Sequence, residues 1–218
     1  METDKKWSDE AWAAALPVYE AILGLPFVKE LAAGTLAEEK FIFYLRQDAI
    51  YIENYCKVLA SIASRLNDRE QTEAFLHFAL DGVFVEKAMH ETFLRPYGLE
   101  RAEATPSCLL YMSLLSAQAT EPVEVQAAAI LPCFWVYLMV GKHIAAQASS
   151  DNRYAQWIAT YSDAAFDESN SRCIAICDAL AENASEDVRR RMTDIFVKAT
   201  KMEWMFWNSA YKEETWEI

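Results

Sequence analysis

The chain has 218 residues, 53% of them apolar, with only 5 Gly and 6 Pro; it is long enough to bury a substantial core, and its composition excludes disordered, collagen-like and most all-β proteins. Lys and Arg number 20 against 33 Asp and Glu, a formal net charge of −13. That charge repels phosphate backbones and anionic lipid, so no nucleic acid and no membrane is expected as a partner.

The polar start Met1-Glu2-Thr3-Asp4-Lys5-Lys6 has no apolar signal core behind it. Ser8 before Asp9 and Glu10 reads as an N-cap with an acidic first turn, opening a helix to about Leu23 with a kink at Pro17. Gly24 ends that helix, and Pro26 opens a short one that stops near Gly34. Thr35 and Glu38 have the spacing of a capping box before a long helix to about Leu66. Asn67 and Glu70 repeat that spacing, and the helix they open reaches about Leu94, before Pro96 and Gly98.

Thr105-Pro106 opens another helix through Ala119, and Glu121-Pro122 opens a long one that carries Pro132 and Cys133 and ends near Ser149. Its apolar run, Ala127 to Gly141, falls short of the roughly 20 residues of a membrane span and is expected to be a buried helix. Asp151 is expected to cap a shorter helix to about Tyr161. Asp163 to Asn183 reads as helical, and Ser185-Glu186-Asp187 caps a last helix ending near Lys212. No segment alternates strictly enough to need a strand, and no repeat or long linker interrupts the pattern. The expectation is an all-α, single-domain helical bundle over residues 1–218. Cys56, Cys108, Cys133, Cys173 and Cys177 are an odd set without a secretory signal, which predicts reduced thiols and a cytoplasmic location. Cys173 and Cys177 lack the second pair that a zinc site needs.

Three reactive groups sit inside apolar helix faces. Asp48 shares a stripe with Tyr44, Tyr51 and Tyr55. Such a carboxylate is either a helix-surface or tyrosine-bonded Asp or the lining of a polar cavity. Cys133 follows Pro132, which frees backbone carbonyls, and Tyr137 lies one turn on. A buried Cys is usually inert packing; a nucleophile needs a base or a positive field beside it. Glu203 has Phe206 and Trp207 as its helical neighbours. It is either an acid with a raised pKa or a surface partner of Lys198 or Lys201. Glu86 and His90, at i and i+4, have the one metal-like spacing. A diiron bundle needs that motif repeated, and only His77 and His143 remain to repeat it, so an ordinary Glu–His pair is favoured and no metal is expected.

Together these segments resemble the TenA family, the thiaminase II group of aminopyrimidine hydrolases with a haem-oxygenase-like helical fold. Gln47-Asp48-Ala49-Ile50-Tyr51 resembles the motif whose Asp binds the aminopyrimidine and whose Tyr supports the pocket. Pro106 to Tyr111 resembles the segment bringing a second pocket Tyr. Leu131 to Tyr137 resembles the segment with the catalytic Cys and a Tyr one turn later, and Trp157 to Tyr161 the one carrying a further Tyr. Glu203 to Trp207, followed by Ala210-Tyr211, matches the C-terminal Glu and pocket Phe. Cys133 is similar to the thiol of the cysteine-bearing branch. Phe134 stands where the family commonly has Tyr, and Asn208-Ser209 where it has an acidic-Met pair.

The resemblance implies conversion of 4-amino-5-aminomethyl-2-methylpyrimidine to its hydroxymethyl analogue with release of ammonia, in thiamin salvage, with thiamin cleavage as a related activity. It implies catalytic residues Cys133 and Glu203, substrate-binding residues Asp48, Tyr51, Tyr111, Tyr137, Tyr161 and Phe206, no cofactor, and a homotetramer. Two other readings compete. A metal-dependent oxidase on the same scaffold would hold stoichiometric iron. A non-catalytic pyrimidine-binding or regulatory protein would bind pyrimidine without turnover, although the charge and the lack of a basic recognition helix oppose DNA contact.

Overall fold

A computed structural model of the protein describes residues 5–95 and 102–217, without the side chains of Glu86, Met89, His90 and Phe93; among the described residues every regular element is helical. In chain order these are α1 (Trp7–Leu23), α2 (Pro26–Ala33), α3 (Glu38–Ala63), α4 (Arg69–Met89), α5 (Pro106–Ala117), α6 (Val123–Ala145), α7 (Ala155–Thr160), α8 (Ala164–Glu182) and α9 (Glu186–Lys212). The all-α bundle is thus as expected. A π-helical turn, His90–Leu94, extends α4, and a short 3-10 turn, Gln118–Thr120, extends α5.

α6 forms the axis because it is apolar on every side. Ala127, Ala128, Ala129, Ile130 and Leu131 are all fully buried. α9 and α8 pack against it, α1 packs on α9, and α3 pairs with α4. At 23 residues α6 is long and apolar enough to cross a membrane, which the run Ala127 to Gly141 alone is not; its burial, 72% of its most apolar window, marks it as a core helix of this bundle. Pro132 sits inside it without ending it.

Helix starts follow local chemistry where a cap can reach. Thr105, Asp163 and Ser185 accept from the backbone amides of Cys108, Phe166 and Val188, an arrangement that contributes about 1 kcal/mol each. Four expected caps do not form. Ser8 lies within α1, and its amide and hydroxyl both donate to the buried Asp178 carboxylate (2.8 and 2.9 Å). Ala37, not Thr35, is the N-cap of α3, and the Thr35 hydroxyl instead donates to the Glu30 carbonyl. Asp68 replaces Asn67, accepting from the Gln71 amide at 2.8 Å. Asp151 lies ahead of α7, whose entry is held by Asn152 accepting from the Tyr154 amide. Pro96 and Gly98 lie outside the described residues.

Two glycines let helices approach closely. A Cβ on Gly82 would stand 2.7 Å from the Cys56 sulfur, where α4 meets α3. A Cβ on Gly141 would stand 2.2 Å from the Tyr161 carbonyl oxygen, so only glycine lets that backbone lie against α6.

Candidate active site

A cavity of about 410 Å³ opens between α3, α4, α6, the end of α7 and the start of α8. Its inner wall is Asp48 and Tyr55 from α3, Phe78 from α4, Cys133, Phe134 and Tyr137 from α6, and Tyr161 after α7. Each of these is buried except Cys133, which is partly exposed. Asp81, Phe84 and Val85 on α4 and Asp163 and Ala165 at the start of α8 form the exposed rim. Among the described residues, the lining holds three carboxylates and no Lys, Arg or His.

Of the eight site residues that the resemblance implies, Asp48, Cys133, Tyr137 and Tyr161 reach this wall. Glu203, Tyr51, Tyr111 and Phe206 form a layer behind it. The Tyr111 hydroxyl donates to the Glu203 carboxyl at 2.6 Å. The Tyr51 ring lies 4.7 Å from that of Tyr111 and 5.8 Å from that of Phe206. The eight residues therefore make a wall and a buttress.

Helical spacing explains part of this convergence. Asp48, Tyr51 and Tyr55 lie on one side of α3, and the Tyr55 hydroxyl donates to the Ile130 carbonyl (2.9 Å), two residues before Pro132. That bond ties α3 to α6 beside Cys133. On α9, Glu203, Phe206 and Trp207 face the core together. Trp207 stacks on Tyr44 at 5.2 Å and 7° and lies 5.0 Å from Tyr137.

The electrostatics follow from burial. Glu203 is 1% exposed, and burial pushes its carboxyl up to about 8; the Tyr111 hydrogen bond opposes this and the Asp48 charge adds to it. Burial and then Glu203 hold the Cys133 thiol well above its ordinary range, while the nearby Tyr51 and Tyr55 hydroxyls favour the thiolate. No bond of normal geometry joins Tyr51 to the thiol, and its hydroxyl has no hydrogen-bond partner among the described residues. At neutral pH the resting site thus holds a thiol and a carboxylic acid, both carrying their protons.

Sequence reading missed Phe78 and Phe166 as walls, together with Asp81 and Asp163 at the rim; Phe134, which stands where the family commonly has Tyr, lies in the wall. Tyr55 stood in the recognised tyrosine stripe and could have been included on that signal. Phe78 and Phe166 carry no signal beyond ordinary core periodicity. The Glu86 and His90 side chains lie outside the described residues, and among those described no group of three His, Cys, Asp or Glu could hold a metal ion.

Residues 12–213 match the TENA/THI-4/PQQC family. The chain is 32% identical to the aminopyrimidine aminohydrolase of Bacillus subtilis, over 97% of this chain and 92% of that protein. It is 31% identical to the thiamine biosynthesis multifunctional protein ThiED of Corynebacterium efficiens, over 93% of this chain but spanning only 28% of that longer protein. Among solved structures, a TenA homologue from P. horikoshii is 26% identical and superimposes with a TM-score of 0.85, covering 95% of this chain and 99% of the other.

Proposed function

The chain belongs to the TENA/THI-4/PQQC family, and on that premise we propose that it is an aminopyrimidine aminohydrolase of thiamin salvage. It replaces the amine of 4-amino-5-aminomethyl-2-methylpyrimidine by hydroxyl with release of ammonia, and cleaves thiamin as a related reaction. The observation that carries this reading is one cavity with Cys133 and Asp48 in its wall and a neutral, buried Glu203 directly behind.

The wall is aromatic, and Asp48 in it, with Asp81 and Asp163 at the rim, suits a substrate bearing an amine and a protonatable ring. Asp48 accepts from the ring nitrogen and exocyclic amine and so favours the protonated, more electrophilic ring. The Cys133 sulfur bonds to a ring carbon, its proton passing by way of Glu203 to a ring nitrogen, and aromaticity is broken. The ring electrons then expel the amine, which takes a proton from Glu203 and leaves as ammonia. Water adds to the resulting exocyclic methylene and returns its proton to Glu203, and the ring nitrogen gives its added proton back, by way of Glu203, to the departing sulfur, which restores the aromatic ring and the Cys133 thiol. Tyr111 holds Glu203, Tyr51 and Phe206 buttress the wall, and Tyr137 and Tyr161 pack against the ring.

We further propose one TenA-like domain over residues 1–218, supported by a single continuous core, a cytoplasmic location and a homotetramer. Leu76, Leu80 and Phe84 form an exposed apolar stripe along α4, each about half exposed, which suits a subunit contact. Sedimentation of the wild type and of Leu80→Lys tests it: a tetramer that the variant disrupts supports this contact, and a monomeric wild type refutes it.

The functional test is product release from the aminomethylpyrimidine and from thiamin, for wild type and Cys133→Ala. Hydroxymethylpyrimidine formed from the amine by wild type alone supports the proposal. Unchanged turnover in Cys133→Ala eliminates the covalent scheme, and no product from either compound eliminates the substrate class.

A further inference from the structure

The C-terminal end of the chain turns back on the helix that carries Tyr111. α9 ends at Lys212, and Glu213 adopts a left-handed conformation with φ of 50°. Glycine is the usual residue at such a helix end. The reversal is closed by the Glu213 amide donating to the Ala210 carbonyl (3.2 Å) and the Glu214 amide to the Ser209 carbonyl (3.0 Å). It carries the Glu214 carboxylate onto the first turn of α5. There one oxygen accepts from the Ser107 amide at 2.8 Å and the other from the Ser107 hydroxyl at 3.0 Å. Trp216 adds a bond from its indole nitrogen to the Ala104 carbonyl at 3.0 Å. From α3, Gln47 grips the same entry, donating to the Glu103 carbonyl and accepting from the Thr105 amide, both at 2.9 Å.

One helical turn beyond Ser107 on α5 stands Tyr111, the donor to Glu203 on α9. Two hydrogen-bonded contacts therefore tie α5 to α9 and to the turn that follows it: the buried Tyr111–Glu203 bond and the Ser107–Glu214 clamp. We propose that Glu214 is a positioning residue, fixing the first turn of α5 so that the Tyr111 hydroxyl stays bonded to the Glu203 carboxyl. This rests on the proposed function only for its catalytic consequence; the geometric claim concerns the free protein. A helix N-terminus favours a carboxylate by its dipole and its free amides, and this one is also doubly hydrogen-bonded. Glu203 is faced by Tyr111 from α5, Asp48 and Tyr51 from α3, Cys133 and Tyr137 from α6, and Tyr161 after α7. Of these, Tyr111 is the one that lowers its pKa.

The test compares wild type, Glu214→Ala and Glu214→Gln as full chains. The Glu203 carboxyl is titrated by NMR in the free protein, its signal assigned by its loss in Glu203→Gln. In Glu214→Ala the titration is expected to rise by about one pH unit or more, the effect of weakening one charge-assisted hydrogen bond. Glutamine keeps an oxygen for the Ser107 amide and a donor for its hydroxyl, so Glu214→Gln is expected to titrate near wild type. With the aminomethylpyrimidine as substrate, Glu214→Ala is expected to lose about tenfold in kcat with little change in KM, and the pH limb reporting Glu203 to move upward with the NMR value. Unshifted titration in a folded Glu214→Ala overturns the proposal, as does an equal shift in Glu214→Gln. An alanine variant that fails to fold leaves the decision to the glutamine variant and to Ser107→Ala, which is expected to show the same upward shift in part; wild-type titration in Ser107→Ala overturns the proposal. A wild type that turns over no aminopyrimidine refutes the enzymatic reading while the titration still decides this one.

Discussion

Glu203→Gln separates the stability of the bundle from the chemistry of its cavity. Burial, opposed by the Tyr111 hydrogen bond and reinforced by the Asp48 charge, moves the Glu203 carboxyl from 4.5 to about 8. The folded-state value lies above the unfolded one, so folding favours the protonated form. The stability associated with that proton is complete below 4.5 and is lost as the pH rises through about 8. Integrated over that window, the loss is about 4 kcal/mol at about pH 8 and about 1 kcal/mol at about pH 5. An amide has nearly the same volume, carries no charge and keeps an oxygen to accept from the Tyr111 hydroxyl. The variant is therefore expected to be about 3–4 kcal/mol more stable than wild type at about pH 8, with the gap falling to about 1 kcal/mol near pH 5. Domains are stable by only about 5–15 kcal/mol, so urea unfolding followed by helical circular dichroism resolves such a gap. Turnover is expected to be lost. A variant no more stable than wild type at the higher pH, or a gap that does not change with pH, would refute the reasoning that the acid is held neutral by its surroundings.

Three further outcomes follow from the same geometry. Iodoacetamide is expected to label Cys133 slowly at neutral pH and faster only above the ordinary thiol range, because burial and then Glu203 disfavour the thiolate; rapid neutral labelling of that peptide by mass spectrometry contradicts this. Gly141→Ala drives a Cβ into the Tyr161 backbone, which has no rotamer to escape through. The substitution is expected to cost about 2–3 kcal/mol in urea unfolding and to raise KM as Tyr161 moves; wild-type stability would show that the chain behind α7 yields freely. Asp178→Ala leaves the Ser8 amide and hydroxyl without their acceptor. It is expected to lower stability by about 2–3 kcal/mol with kcat nearly unchanged, and an unchanged urea midpoint would mean that Ser8 finds another partner.

What could be read from the sequence divides by the range of the interaction involved. Thr105, Asp163 and Ser185 cap because their oxygens reach an amide three residues on. Ser8 has equal local credentials, yet its bonds go to Asp178, 170 residues away, and α1 starts at Trp7. The tyrosine stripe around Asp48 lies on α3 as its spacing requires. Which of its members reaches the cavity is decided by α5, α6 and α9: Tyr55 meets Ile130 and joins the wall, whereas Tyr51 turns against Tyr111 and Phe206. Likewise the aromatics Phe206 and Trp207 correctly suggested a sheltered Glu203, but its bonded partner is a tyrosine 92 residues earlier, which no helical period links to it. Gly141 carries the converse lesson. In the middle of an apolar helix a glycine has no local advantage and costs about 1 kcal/mol against alanine. That cost points to another segment pressed against the helix, and here the segment is the Tyr161 backbone, which closes one side of the cavity.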